Sequence, residues 1–386
     1  MRSTFTARLA IRLGAPLLIA GAALSLVGHA APAQAAGRAT DLVGHVYVLE
    51  NPAGPNSISV YDRSSNGALT YARTTAIGGL GTGNPLGSQG SLTLAAGHLF
   101  AVDGASNQIS VVAIHDGALT PAGVYNSRGA LPVSVAYSAG RLYVVNNGDT
   151  THPANVAGFT VAADGALAPI PGADATLSAA LPGPAQVAVS PDGAILAVTE
   201  KATNIVDTFQ IAADGGLDSR ISTPAVGQTP FGFAFNPAQP GQLVVADASG
   251  GATGASTVTT YRVSERGEVV SASLAPDYQT AACWLVVTAN GKFAYTANAG
   301  SGTISGYRLG SDGGLSLLDA NGLTASTGAN SHPLEMTFSP NSHDLYVLDA
   351  FTHTLSAFTV GHDGALATIA LSGVSLNAGA VGLAAD

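Results

Sequence analysis

Charge is scarce in this chain. Only 10% of its 386 residues are Asp, Glu, Lys or Arg, and the only lysines are Lys201 and Lys292. Acidic residues outnumber basic ones, 24 to 14. The clustered cations that grip phosphates are missing, which argues against nucleic acid as a partner and against an anionic membrane surface. Cysteine is nearly absent too: Cys283 stands alone, cannot close an internal disulfide, and leaves the fold to rest on packing. After Arg38 no segment carries apolar residues at a helical period, and none is apolar over the ~20 residues a membrane span needs.

What the chain has in quantity is glycine, 48 residues, with 20 prolines and 46% hydrophobic residues. Val, Ile, Thr and Tyr recur in short alternating runs between turn residues, which is the signal of strands. The first residues read differently. Arg2, Arg8 and Arg12 precede or open an apolar stretch from Leu13 to Val27, which ends in Ala33-Gln34-Ala35. This is the pattern of a secretory signal over residues 1–35. The expectation is an exported protein, extracellular or periplasmic, with residues 36–386 as one domain.

That domain repeats. Seven turns, "SNGAL", "HDGAL", "ADGAL", "ADGGL", "ERGEV", "SDGGL" and "HDGAL", place glycines at 67, 117, 165, 215, 267, 313 and 364, about 50 residues apart. Within each unit one strand leads through a turn to a second, as in "QVAVSPDGAILAVTE", and a third such as "NIVDTFQI" leads through the Asp-Gly turn to a fourth. The dipeptide suits a tight hairpin, since both residues tolerate positive φ. Four antiparallel strands repeated seven times predict an all-β, seven-bladed β-propeller. The chain enters on a second-strand pattern, "GHVYVLEN", so "NAGAVGLAAD" at the other end is expected to supply the missing inner strand of blade one.

The "SPDG" turns, the "LYV" strand ends and the "DGxL" hairpins resemble the seven-bladed propeller lactonase family, which includes 6-phosphogluconolactonase-type enzymes and muconate cycloisomerases. The resemblance covers residues 42–384 and implies a hydrolase with His, Arg and Glu on inner strands and adjoining loops. Where the family often reads Pro-x-His, this chain has Pro184-Ala185-Gln186. Where the family often reads Asp-Leu-Gly, it has Thr199-Glu200-Lys201.

Aligning the units gives two rings of equivalent positions. The first, at the start of the inner strand, holds Ser91, Ser134, Gln186, Gly232, Trp284 and Glu335, with no clear counterpart in blade one. These residues are expected at the mouth of the axial channel. The second ring closes the second strand with Glu50, Asp103, Asn146, Glu200, Asp247, Asn298 and Asp349. Asp and Asn there suit backbone capping; the longer Glu50 and Glu200 are the members open to another role. Glu200 and Glu335 are therefore the candidate catalytic carboxylates, able to activate water if desolvation raises their pKa. Gln186, Trp284, Lys201, His332 and Ser134 are the candidate substrate-binding residues.

The glycine-rich stretch 78–90 lacks the Lys-Ser/Thr of a phosphate loop and reads as a flexible connection. The histidines are scattered without metal-ligand spacing, so no cofactor is expected; a Ca²⁺ or Mg²⁺ ion in the acidic ring has no spacing to support it. Two functions follow. One is an exported lactonase-like hydrolase acting on a small neutral lactone at the channel mouth. The other is a non-catalytic propeller that binds a small molecule or a protein partner.

Overall fold

The computed structural model describes residues 42–386; the expected leader over residues 1–35 lies outside them. Seven antiparallel sheets follow one another along the chain. Blade four is representative: Pro184–Val189 is innermost, followed outward by Ile195–Glu200, Ile205–Gln210 and Ile221–Pro224. The second strands are buried throughout, as in Ile195–Glu200 and Phe293–Asn298, because each is covered on both faces by neighbouring blades. Alternation fades where both faces are buried, and near-continuous apolar runs replace it. In blades three and six the fourth strand is split in two, Leu167–Pro169 with Ala175–Thr176 and Leu315–Leu317 with Ala325–Ser326.

The hairpins correct one expectation. Only in blade two do both turn residues adopt positive φ, Asp116 at 48° and Gly117 at 69°. In the other six blades the glycine alone does so, and the loop closes with a bulged pattern: in blade three Gly165 N–H donates to Ala162 O and Ala162 N–H to Ala166 O. The aspartate instead caps the exit, as Asp164 Oδ1 accepts from Ala166 N at 3.0 Å. An acidic side chain that binds its own turn needs no left-handed backbone.

The ring closes as expected. Gly382–Ala385 pairs antiparallel with Leu42–Leu49, Leu49 opposite Gly382 and Val46 opposite Ala385. Asp386 then locks the joint. Its side chain accepts from His45 N at 2.6 Å and Tyr47 Oη at 2.9 Å, and its backbone carbonyl accepts from Arg63 Nη2 at 2.7 Å.

Every inner strand except those of blades one and two opens with a register shift. Pairing slips between Pro132 and Ser134, Pro184 and Gln186, Pro230 and Phe233, Ala282 and Trp284, and Pro333 and Met336. A bulge inserts a residue and re-aims its neighbours. Here it turns the first-ring side chains toward the axis.

Deleting residues 381–386 removes an inner strand and its locking carboxylate together. The melting temperature is expected to fall by about 10 °C or more, read by circular dichroism on the mature chain. A truncated protein melting with the full chain would refute the closure.

Candidate functional site

The inner strand is the open edge of its sheet, so alternate N–H groups point away from it toward the axis, among them those of Val135, Val187, Phe233 and Leu285 in blades three to six. Burying such a donor unpaired costs about 1–3 kcal/mol. The first ring answers this need from blade to blade. Ser134 Oγ accepts from Val187 N at 3.2 Å, and Gln186 Oε1 accepts from Phe233 N at 2.7 Å. In blade five the ring residue is Gly232, which has no side chain to offer blade six. Gln89 takes over: its Oε1 accepts from Leu285 N at 2.9 Å and its Nε2 donates to Leu285 O at 2.7 Å. A Cβ on Gly232 would stand 2.0 Å from Gln89 Oε1, so the glycine is what admits the glutamine. The ring member missing from blade one is Gly382, opposite Leu49. A Cβ there would meet Leu92 Cβ at 2.5 Å.

Gln89 belongs to the stretch read as a flexible connection, and the structure corrects that reading. Residues 87–90 leave the rim and fill the upper channel. Ser88 Oγ donates to Val133 O at 2.8 Å, Gln89 N to Ala185 O at 2.8 Å, and Gly90 O accepts from Val135 N at 2.8 Å. The candidate residues close on this plug. Trp284 Nε1 donates to Ser88 O at 2.9 Å, Gly90 N donates to Glu335 Oε2 at 2.9 Å, and Lys201 Nζ donates to Gly87 O and to Pro184 O. The ammonium also lies 4.7 Å from the centre of the Phe231 ring, a cation–π contact, and Phe231 packs on Trp284 at 4.9 Å between centroids. The plug is not legible in the sequence, because glycine and serine mark flexible linkers just as readily as a backbone laid against other backbone.

The structure thus brings Gln186, Trp284, Lys201, Ser134 and Glu335 together around one axis, but as the walls and anchors of a plug. Ser134 is fully buried and Trp284, Glu335 and Gln186 nearly so. His332 stays at the rim, stacked on Phe351 with centroids 4.1 Å apart, and burial lowers its pKa. Cys283 is buried and its thiol is pushed up to about 12, so it is no nucleophile.

Glu200 does not join this group. Glu200 and Lys201 diverge, the lysine to the axis and the glutamate outward. Glu200 Oε1 accepts from Ser178 N at 2.9 Å, and Oε2 from the hydroxyls of Ser178 and of Thr203, the latter at 2.5 Å. Ser178 lies in the connection from blade three, so Glu200 ties two blades together. Three aspartates of the second ring bond to hydroxyls of their own blades. Asp103, Asp247 and Asp349 accept hydroxyl donors from the third strand: Ser110 at 2.7 Å, Thr259 at 2.6 Å and Ser356 at 2.6 Å. Blade four puts Asp207 where those hydroxyls stand. Burial and the neighbouring Glu200 raise its pKa.

Below the plug the channel opens into a cavity of about 510 Å³ on the side of the inner hairpin turns. Phe233, Phe235, Met336 and Phe338 wall it, with Gln89 and Gln186 at its inner end and the small side chains of Ala188, Ala234 and Thr337 along it. Gln186 spends its oxygen on Phe233; its amide nitrogen makes no hydrogen bond among the described residues.

Burial sets the pH response. It pushes Glu335 up to about 8, Asp247 and Asp349 to about 7, and Asp103 and Asp277 to about 6. Unfolded, these groups ionise near pH 4. The folded chain therefore holds more protons than the unfolded one between about pH 4 and 8, and stability falls as pH rises through that window. Lys201, lowered to about 8 by burial, acts with the opposite sign only above that pH. The urea midpoint is expected to be higher at pH 5 than at pH 8, and Glu335→Gln to flatten the slope, stabilising the pH 8 state by about 1–4 kcal/mol. A profile rising from pH 5 to 8 would contradict this. In the same assay Gln89→Leu, which orphans both Leu285 groups, should cost about 2–4 kcal/mol.

Residues 243–380 match the family model described as "Lactonase, 7-bladed beta-propeller". No curated protein sequence matches the chain. Among solved structures, the periplasmic gluconolactonase of Pseudomonas aeruginosa is 19% identical with a TM-score of 0.68, covering 89% of this chain and 98% of its own. A candidate 6-phosphogluconolactonase from Bacteroides fragilis is 16% identical with a TM-score of 0.69, covering 90% and 99%. A protein from Lactobacillus plantarum is 16% identical with a TM-score of 0.71, covering 89% and 99%. At these identities the structures speak for the fold. The chain is a seven-bladed β-propeller, similar in sequence to that lactonase family over residues 243–380.

Proposed function

We propose that this propeller takes up a small neutral molecule of the lactone class in the cavity below its plug, and that it works outside the cytoplasm. The family match and the gluconolactonase among the similar structures support the ligand class. The cavity supports the place. Its volume of about 510 Å³ lies in the range of small-molecule sites, and its largely apolar walls with a few polar groups are what such sites use. Gln186 supplies one of these, an amide nitrogen free to donate to a ring carbonyl. An anionic substrate fits poorly, since no arginine or lysine lines the cavity. The Arg-rich, apolar leader ending at Ala35 supports export.

Binding without turnover is the reading the geometry favours, and one observation carries it. The channel groups able to move a proton are committed to the plug: Glu335 to Gly90, Lys201 to Gly87. No carboxylate, imidazole or amine lines the lower cavity, so a lactone held there meets no general base. Hydrolysis is the second reading, favoured by the family match that runs across Trp284 and Glu335; it would use Glu335 or Glu200 to activate water.

The two readings part in one experiment. Mature protein is titrated calorimetrically with a panel of neutral lactones, and proton release is followed with and without divalent metal. Binding without acid release is expected, weakened about tenfold or more in Gln186→Leu. Turnover lost in Glu335→Gln or Glu200→Gln would establish the hydrolase instead. Export is checked by mass spectrometry of the secreted or periplasmic fraction, where a mature chain beginning at Ala36 is expected.

A further inference from the structure

The second ring has one member that opens onto a cavity. Glu50 ends the second strand of blade one, and beside it lies a cavity of about 510 Å³ lined by Ser59, Tyr71, Thr74, Ser375 and Asn377. Glu50 is nearly buried, and no cation pairs with it among the described residues. Its Oε2 accepts from Asn377 N at 2.6 Å. Ser59 Oγ lies 2.8 Å from Thr74 Oγ1, and Thr74 Oγ1 lies 3.1 Å from Tyr71 Oη. Each hydroxyl can donate or accept, so Ser59, Thr74 and Tyr71 can meet either end of a ligand hydroxyl. Donors come from the opposite wall, where the Asn377 side chain uses its oxygen on Gly379 N and leaves its amide nitrogen free. Tyr71 adds an aromatic ring, 52% exposed, set edge-on to Tyr61 at 5.8 Å.

We propose that this cavity between the last connection and blade one binds a neutral polyhydroxyl ligand, a monosaccharide or sugar alcohol. Adjacent hydroxyls of such a molecule supply donors to Glu50 and to the Ser59–Thr74–Tyr71 oxygens and acceptors to Asn377, while its C–H face covers the Tyr71 ring. With no cation in the wall, an anionic sugar is disfavoured. The site is separate from the channel cavity and shares no lining residue with it.

The test titrates the mature protein with D-glucose, D-galactose, D-mannose, sorbitol and, as a rival, methylammonium, using calorimetry and saturation-transfer NMR. None of these is a lactone, so the result is independent of the channel. At least one neutral polyol is expected to bind in the millimolar range, with NMR contacts from its C–H protons. Tyr71→Ala, a change at an exposed side chain, and Glu50→Gln, which keeps the acceptor for Asn377 N, are each expected to weaken it about tenfold or more without moving the melting temperature appreciably. No binding by any polyol, binding untouched by both variants, or tighter binding of methylammonium than of every polyol would overturn the proposal.

Discussion

An unpaired backbone N–H is the constraint from which the centre of this propeller follows. The inner strand of each blade is a sheet edge whose outward N–H groups have no partner strand, and the axis of a narrow ring has little water to satisfy them. Ser134 and Gln186 solve the problem in series, each capping the donor of the next blade. At Gly232 the series breaks, and the chain repairs it with a residue from elsewhere, Gln89. Once Gln89 must reach the axis, the backbone around it must follow. The carbonyls and N–H groups of residues 87–90 then need partners of their own. Val135, Ala185, Trp284, Glu335 and Lys201 are those partners.

The same logic explains the oddity of blade four. In a chain with so few charges, a lysine beside a glutamate invites the reading of an ion pair or a catalytic dyad. Strand geometry separates them, because neighbours on a strand point to opposite faces. Glu200 is an inter-blade tie with a longer reach than the aspartates, matched by Ser178 on the incoming connection. Lys201 anchors the end of the plug through Gly87 and rests on Phe231. Blade four holds its pair because it faces two different structural demands, one on each side of its second strand.

The fold was legible in the sequence, since it rests on periodicity. Seven turns at regular spacing and a chain entering on a second strand imply the ring and its closure, because these features depend on local chemistry repeated often enough to stand above noise. The candidate residues were legible as a set for the same reason: ring positions recur, so Gln186, Trp284 and Glu335 can be aligned without coordinates. Their partners could not be read. The bulges shift pairing by one residue without altering the apolar pattern, and the plug is built by main-chain groups that glycine and serine neither announce nor exclude. The Asp-Gly hairpins failed for a related reason: the aspartate's capping of its own turn competes with the left-handed conformation assumed for it.

Placing a plug at the axis divides what the channel can do. The upper half carries the ionisable groups but has them engaged, Glu335 with Gly90 and Lys201 with Gly87. The lower half is open and apolar, with a donor but no base. Catalysis needs both a place for the substrate and a group to move its proton, and in this channel the two sit on opposite sides of Gln89. Uniting them requires residues 87–90 to leave the axis, which would orphan Leu285, Trp284, Glu335 and Lys201 at once. At about 1–3 kcal/mol for each buried group stripped of its partner, that opening is comparable with the whole stability of an ordinary domain. The plug is therefore part of the folded state rather than a gate, and the ligand chemistry of the channel is set by the cavity beneath it.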